Sequence, residues 1–288
     1  MALLYLPIET LLMVGTFLDE KKDLLSLCLL CRSTHAIFIK NLYRKLSGEV
    51  TFPFHWAVKR RNLDLVRYLL DRHKTDINAE QMGLTPRDFS VVDKYDKTIL
   101  AYAVENGSVE MMKLLLRQPE IHAKTQTADA EPLLWLACRA GQRHMVEYLQ
   151  QEMIDINQRG PTGTSSLQVT INMDHFGIFC LLLHCGDKLA VNDYGPQAWA
   201  ALTFASAGGK HEMVRRLLDH PGIDVNTTDD HGRTPLWWAA AGGHADVVGL
   251  LHKHPLVKKR WKDCTGKTAY AIAKDRGHGH VTIILRAL

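Results

Sequence analysis

From residue 51 to residue 288 the apolar and polar positions of the chain return at a fixed interval. The clearest unit, Gly232 to Leu251, reads GRTPLWWAAAGGHADVVGLL. Counted from Ala239, a glycine (Gly243) follows after four residues and a leucine (Leu251) after twelve. The same offsets hold from Ala103 (Gly107, Leu115), Ala137 (Gly141, Leu149), Ala205 (Gly209, Leu217) and Ala273 (Gly277, Leu285). Ala57 and Thr170 begin two weaker copies that end at Leu69 and Leu182, with Arg61 and Asp174 in the glycine position. The intervals between the seven anchors are 46, 34, 33, 35, 34 and 34 residues.

Each unit predicts two short helices. Thr234 can cap free backbone N–H groups, and Pro235 suits a first turn, where its missing donor costs nothing. The small Ala239 and Ala240 let the first helix press closely on its neighbours. Gly243 supplies a turn conformation that side chains resist. Val247, Val248, Leu250 and Leu251 then give a second helix one apolar face. The chain leaves through segments such as Asp155-Ile156-Asn157 or Asp224-Val225-Asn226, followed by polar turns such as Asp229 to Gly232. Neither helix can bury its apolar face alone, so the copies must stack into an all-α solenoid.

These residues resemble the ankyrin repeat, whose pattern is a turn, Thr-Pro-Leu-His, paired alanines, Gly-His and a leucine-rich second helix. Thr234 to His244 match it, with Trp237 where histidine is usual, and Thr268 to Gly277 match in part. The resemblance covers residues 51–288 in about seven copies, of which the fourth, Ser165 to Leu183, is the poorest. It implies a non-catalytic protein that binds a protein client on a concave face, lined by the projecting turns and the first helices. Carried onto this chain, that face places Lys59, Arg60, Gln81, Met82, Lys94, Tyr95, Arg139, Asp230 and His231 at partner-binding positions. In the fifth and sixth copies the matching helix positions are nearly bare: Ala207-Gly208 and Ala241-Gly242.

The front of the chain, residues 1–46, does not fit the repeat. Pro7 and Glu9 suit a helix start, and Leu11, Val14 and Leu18 recur on one face. A charged break from Asp19 to Asp23 precedes Leu24 to Cys31, and Ser33 can cap a third helix running toward Tyr43. The order Leu6-Pro7-x-Glu9, Val14, Phe17-Leu18, Asp23-Leu24, Leu27, Cys31-Arg32, Leu42-Tyr43 resembles an F-box. That family is a three-helix module that docks on the Skp-type adaptor of cullin ubiquitin ligases. The resemblance implies adaptor contact by Leu6, Pro7, Ile8, Leu11 and Leu27, and a role for the chain as a substrate receptor. The same helices also read as a cap shielding the first repeat's apolar edge; the chain would then be a regulatory scaffold or transcription coregulator.

Composition narrows the field further. With 46% hydrophobic and 23% charged residues over 288 positions the chain is ordinary globular material. Its net charge of +4 does not by itself point to nucleic acid, and no direct nucleic-acid partner is expected. Six scattered cysteines read as reduced thiols of a cytoplasmic or nuclear protein. No uninterrupted apolar run reaches bilayer length, so no membrane partner is expected. Cys28-x-x-Cys31 with His35 has zinc-like spacing, but no fourth ligand stands nearby. Gly266-Lys267-Thr268 echoes a phosphate loop whose upstream glycine position is Trp261. The fifteen histidines show no nucleophile–base spacing, so neither catalysis nor a cofactor is expected. Lys258-Lys259-Arg260-Trp261-Lys262 reads either as a solvated inter-repeat loop or as an import or nucleic-acid contact.

Overall fold

In the computed structural model, which describes residues 57–59, 61, 63–64, 66–67, 70, 98–117, 132–152 and 154–286, short helices alternate in pairs along the chain. The first pair is α1 (Ile99–Glu105) and α2 (Val109–Leu116), the second α3 (Leu133–Arg139) and α4 (Arg143–Gln151). The third is α5 (Ser166–Asn172) and α6 (Phe176–Leu183), the fourth α7 (Ala201–Ala207) and α8 (His211–Leu218). Then follow α9 (Pro235–Gly242) with α10 (Ala245–Lys253), and α11 (Ala269–Asp275) with α12 (Gly279–Arg286). Residues 57–59 and 63–70, as far as they are described, are helical as well and belong to the copy that precedes α1. Odd-numbered helices pack on one another in chain order and form an inner layer, and even-numbered helices form an outer layer. Among the described residues no strand forms; a single isolated bridge joins Arg159 and Ser165.

The anchors are where the layers meet. Ala57, Ala103, Ala137, Thr170, Ala205, Ala239 and Ala273 are all fully buried. From there Leu115, Leu149, Leu182, Leu217 and Leu251 close the core on the outer side. The helices begin as the sequence predicts. The Thr234 hydroxyl accepts from the Trp237 N–H at 3.3 Å with Pro235 in the first turn. Thr98 and Thr268 cap α1 and α11 in the same way. Ser165 and Gln168 form a reciprocal capping box on α5. Pro132 and Ala200, standing in the equivalent positions, make no side-chain cap for α3 and α7. Thr268 and Gly266 are therefore parts of a repeat turn, and Lys267 reaches Asp275 at 2.8 Å.

The turn inside each pair needs a left-handed residue. Gly243 has φ +73°, and a Cβ built there would lie 2.8 Å from the His278 ring. The two weaker copies hold the same conformation with side chains present: Arg61 has φ +57° and Asp174 φ +61°. Such residues pay steric strain that glycine avoids.

Two side-chain ladders tie each copy to the next. At the start of the outer helices, His175, His244 and His278 donate ring N–H groups to Arg139 O, Ala207 O and Ala241 O, at 3.2, 2.9 and 3.0 Å. Gln142 does the same with its amide toward Glu105 O, while Asn106, at the end of α1, donates to Val58 O of the preceding copy. In the fifth copy Lys210 holds this place and pairs with Asp174 at 2.8 Å. On the other side, Asn157, Asn192 and Asn226 each grip the following copy twice. The Asn192 amide donates to Gly222 O at 2.7 Å while its oxygen accepts from Asp224 N–H at 2.8 Å. Asn157 does likewise with Lys188 O and Ala190 N–H, and Asn226 with Leu256 O and Lys258 N–H.

The fourth and fifth copies carry hydroxyls in the core where the sixth has mostly alanine and aromatic residues. Ser166, Thr170, Thr203 and Ser206 are fully buried. Thr170 donates to Leu167 O, but the Ser166, Thr203 and Ser206 hydroxyls have no partner. Each such group costs about 1–3 kcal/mol of desolvation.

Two substitutions test this packing by denaturant unfolding. Gly243→Ala should lower stability by about 1–2 kcal/mol, because it forces a side chain into the left-handed region against the His278 ring. Ser206→Ala should raise stability by about 1 kcal/mol, since it removes a buried hydroxyl that pairs with nothing.

Candidate protein-interaction face

The inner helices, with the described turns that precede α5, α7, α9 and α11, share one side of the stack, where several side chains are braced rather than loose. At the start of the stack the Lys59 ammonium lies 5.2 Å from the centroid of the Tyr102 ring, on α1. Arg139, at the end of α3, stands 3.9 Å from the Glu105 carboxylate and 5.0 Å from the Trp135 ring centroid. The Trp135 indole in turn donates to the Thr164 hydroxyl at 3.2 Å. Lys59 and Arg139 thus meet the same intervening helix, and Glu105 offsets part of their positive charge.

Farther along, aromatic side chains gather. Trp199, just before α7, lies 5.1 Å from Phe204 on α7 and 4.6 Å from Trp238 on α9, measured between ring centroids. Trp237 meets Trp238 edge-on at 5.2 Å. The Arg233 guanidinium caps this bank, 4.3 Å from the Trp238 ring and 5.2 Å from the Trp237 ring. Trp199, Phe204 and Trp238 are half-buried, so part of each ring faces solvent. Beside them Gly208 and Gly242 are exposed and present backbone.

One carboxylate organises the bank. Asp229 is nearly inaccessible, with its side chain 1% exposed, and its Oδ2 accepts from Arg233 Nε at 2.7 Å and from the Trp238 indole at 3.0 Å. Its Oδ1 accepts the backbone N–H groups of His231 and Arg233, both at 2.9 Å, which shapes the turn. Burial alone would push this carboxyl up; the Arg233 N–H, the Trp238 indole, the Arg233 guanidinium and the His231 N–H together hold it below the usual carboxylate range. Asp263 repeats the arrangement one copy later. Its Oδ1 accepts from the Thr265 N–H and hydroxyl and from the Lys267 N–H, which outweigh burial and lower its pKa too.

The turn before α7 is the irregular one. The interval from Thr170 to Ala205 is one residue longer than most, and here Gln197 and Ala198 both adopt left-handed backbone, with φ +59° and +55°. Two adjacent non-glycine residues in that region store strain, a feature that clusters at functional sites. Gln168 steadies the strained turn by donating to Asp193 O and Trp199 O at 2.7 and 3.1 Å.

Of the positions expected at the partner face, Lys59, Arg139, Asp230 and His231 are described. Asp230 and His231 are exposed at the sixth turn, several copies away from Lys59, so the four do not form one site. Arg60, Gln81, Met82, Lys94 and Tyr95 lie outside the described residues, as do Leu6, Pro7, Ile8, Leu11 and Leu27 and the Cys28, Cys31, His35 group. The Trp199, Phe204, Trp238 and Arg233 bank was missed by the sequence reading. The usable signal was positional: Phe204 and Trp238 each directly precede an anchor, and Trp199 and Arg233 each stand six residues before one.

Among the described residues no three His, Cys, Asp or Glu side chains group so as to hold a metal ion, and no helix is long and apolar enough to cross a membrane. The described cysteines, Cys138, Cys180, Cys185 and Cys264, are free thiols.

Comparison with known proteins identifies the class. The family model described as "Ankyrin repeats (3 copies)" matches residues 21–127, 84–160, 100–193, 174–263 and 202–287. The chain therefore belongs to the ankyrin-repeat family, a family of protein-interaction scaffolds. Among solved structures, the ankyrin repeat domain of Bcl-3, a member of the IkappaB protein family, matches with a TM-score of 0.68. The two are 23% identical over 82% of this chain and 98% of that chain, a likeness that speaks for the fold alone.

The buried carboxylate gives a test. Asp229→Asn places an amide donor against the Trp238 and Arg233 donors and should cost about 2–4 kcal/mol, read from denaturant unfolding. Because both Asp229 and Asp263 are depressed in the folded state, their stabilisation is fully present above the unfolded value of 3.8. It should be lost as pH falls through their lower folded values. Asp229→Asn should therefore flatten the acid limb of a stability–pH profile.

Proposed function

We propose that this protein is a non-catalytic substrate receptor: the inner face holds a protein client, and the front segment docks a Skp-type adaptor of a cullin ubiquitin ligase. The observation that carries the client half is the bank of Trp199, Phe204 and Trp238 under Arg233. Aromatic residues and arginine are enriched at protein interfaces and dominate their energetics. Here Arg233 and Trp238 are fixed before binding by the Asp229 carboxylate, so little of their side-chain freedom is lost on association. Exposed backbone at Gly208 and Gly242 lets an extended client segment approach closely beside the rings. The adaptor half rests on the order of residues from Leu6 to Tyr43.

The two halves separate experimentally. Pro7→Glu with Leu11→Glu should abolish capture of the purified Skp-type adaptor while leaving the stack's unfolding midpoint in place. Adaptor capture that survives both changes would falsify the ligase half. Phe204→Ala should weaken client binding by about tenfold or more, the range of an interface hot spot, without touching adaptor capture.

A further inference from the structure

The segment that leaves α10 runs His254-Pro255-Leu256-Val257-Lys258-Lys259-Arg260-Trp261-Lys262 before the turn at Asp263. A slack solvated loop or an extended linear signal would leave its backbone free. The structure does neither. Lys258 N–H donates to Asn226 Oδ1 and Leu256 O accepts from the Asn226 amide, both at 2.8 Å. Trp261 N–H donates to Lys258 O at 3.1 Å, closing a turn, and the Trp261 indole donates to Gly232 O at 3.0 Å. The Lys258 ammonium lies 4.9 Å from the Trp261 ring centroid, and Val257 is buried beneath. A shallow depression of about 550 Å³ is lined by Val257 to Trp261.

This pinned turn concentrates one sign of charge. Lys253, Lys258, Arg260 and Lys262 are exposed and Lys259 is half-buried. Among the described residues none of the five forms an ion pair, whereas Arg159, Arg233 and Lys267 of other inter-repeat turns each do. The adjoining Asp263 is buried and turned into its own loop, where its Oδ1 accepts three bonds. The Asp224 Oδ1 of the preceding copy accepts from Asn226 N–H. Cations held close together in excess of the carboxylates beside them repel one another, and a ligand that brings further carboxylates relieves that repulsion.

The apolar residues decide which anion fits. Leu256 is 68% exposed next to the exposed Pro255, whereas Trp261 has its N–H committed and one ring face under Lys258. Trp261, although 37% exposed, is a strut with at most one ring face left to a base, whereas single-stranded nucleic acid is gripped by successive stacking platforms. A single exposed leucine is also a slight anchor in a bilayer, where stable attachment takes stronger signals. A peptide combining acidic residues with one apolar side chain meets both features.

We propose that the turn from Lys253 to Lys262 is a second docking site, independent of the aromatic bank, for an acidic protein segment. Its Asp and Glu carboxylates meet Lys258, Lys259, Arg260 and Lys262, and one apolar side chain covers Leu256. The probe is a fluorescent peptide of alternating Glu and Asp with one central Leu, titrated into the full chain by anisotropy. Single-stranded DNA and phosphatidylserine vesicles of equal total charge form parallel arms. The expected result is saturable peptide binding that weakens about tenfold on raising salt and is stronger than either competitor. It should weaken about tenfold again in Lys258→Ala/Lys259→Ala/Arg260→Ala/Lys262→Ala, and about threefold in Leu256→Ser. If the fourfold variant shifts the unfolding midpoint, Lys259→Ala/Arg260→Ala, which spares the Lys258–Trp261 stack, carries the comparison. Peptide binding that is absent, unchanged by these substitutions, or weaker than that of DNA or vesicles overturns the proposal.

Discussion

Every α-helix bounded among the described residues is seven to nine residues long, and that shortness is the constraint from which the rest follows. An isolated helix of such length is unstable in water, because nucleation costs more than a few hydrogen bonds return. Each pair survives only by pressing its apolar stripe on the pair before and the pair after. Burial of the anchors supplies most of that adhesion, but burial is not directional. Direction comes from the two ladders. Ring and amide N–H groups reach back to the ends of the inner helices, and the asparagines reach forward to the backbone of the next copy. Between them they set the register of each copy against its neighbour.

The stack was legible in the sequence because a repeat multiplies weak signals. One Thr-Pro pair or one glycine says little; the same offsets from five anchors fix where helices begin, turn and end. Even the misfits were informative, for Arg61 and Asp174 hold the left-handed turn that glycine holds elsewhere. Other features escaped. Asp224-Val225-Asn226 reads as a polar exit, yet Asn226 is a cross-link, since spacing identifies a buried face and not the partner of a particular amide. The aromatic bank escaped because its members come from two copies, 34 residues apart in sequence for Phe204 and Trp238.

The candidate face owes its shape to a carboxylate that is itself nearly inaccessible. Asp229 turns the chain, holds Arg233 over the rings and fixes the Trp238 indole in one act. A surface built this way meets a ligand with its rotamers already chosen. The neighbouring turn departs from the pattern by one residue, and the helices on either side keep their register. Length change in this architecture is absorbed at the tips, where recognition resides.

The buried hydroxyls of the fourth and fifth copies have a mechanical meaning. The adhesion between neighbouring copies is weakened where Ser166, Thr203 and Ser206 lie in the core without partners. A chain tethered at one end and tugged at the other would, on parting at this seam, return three hydroxyls to water at once.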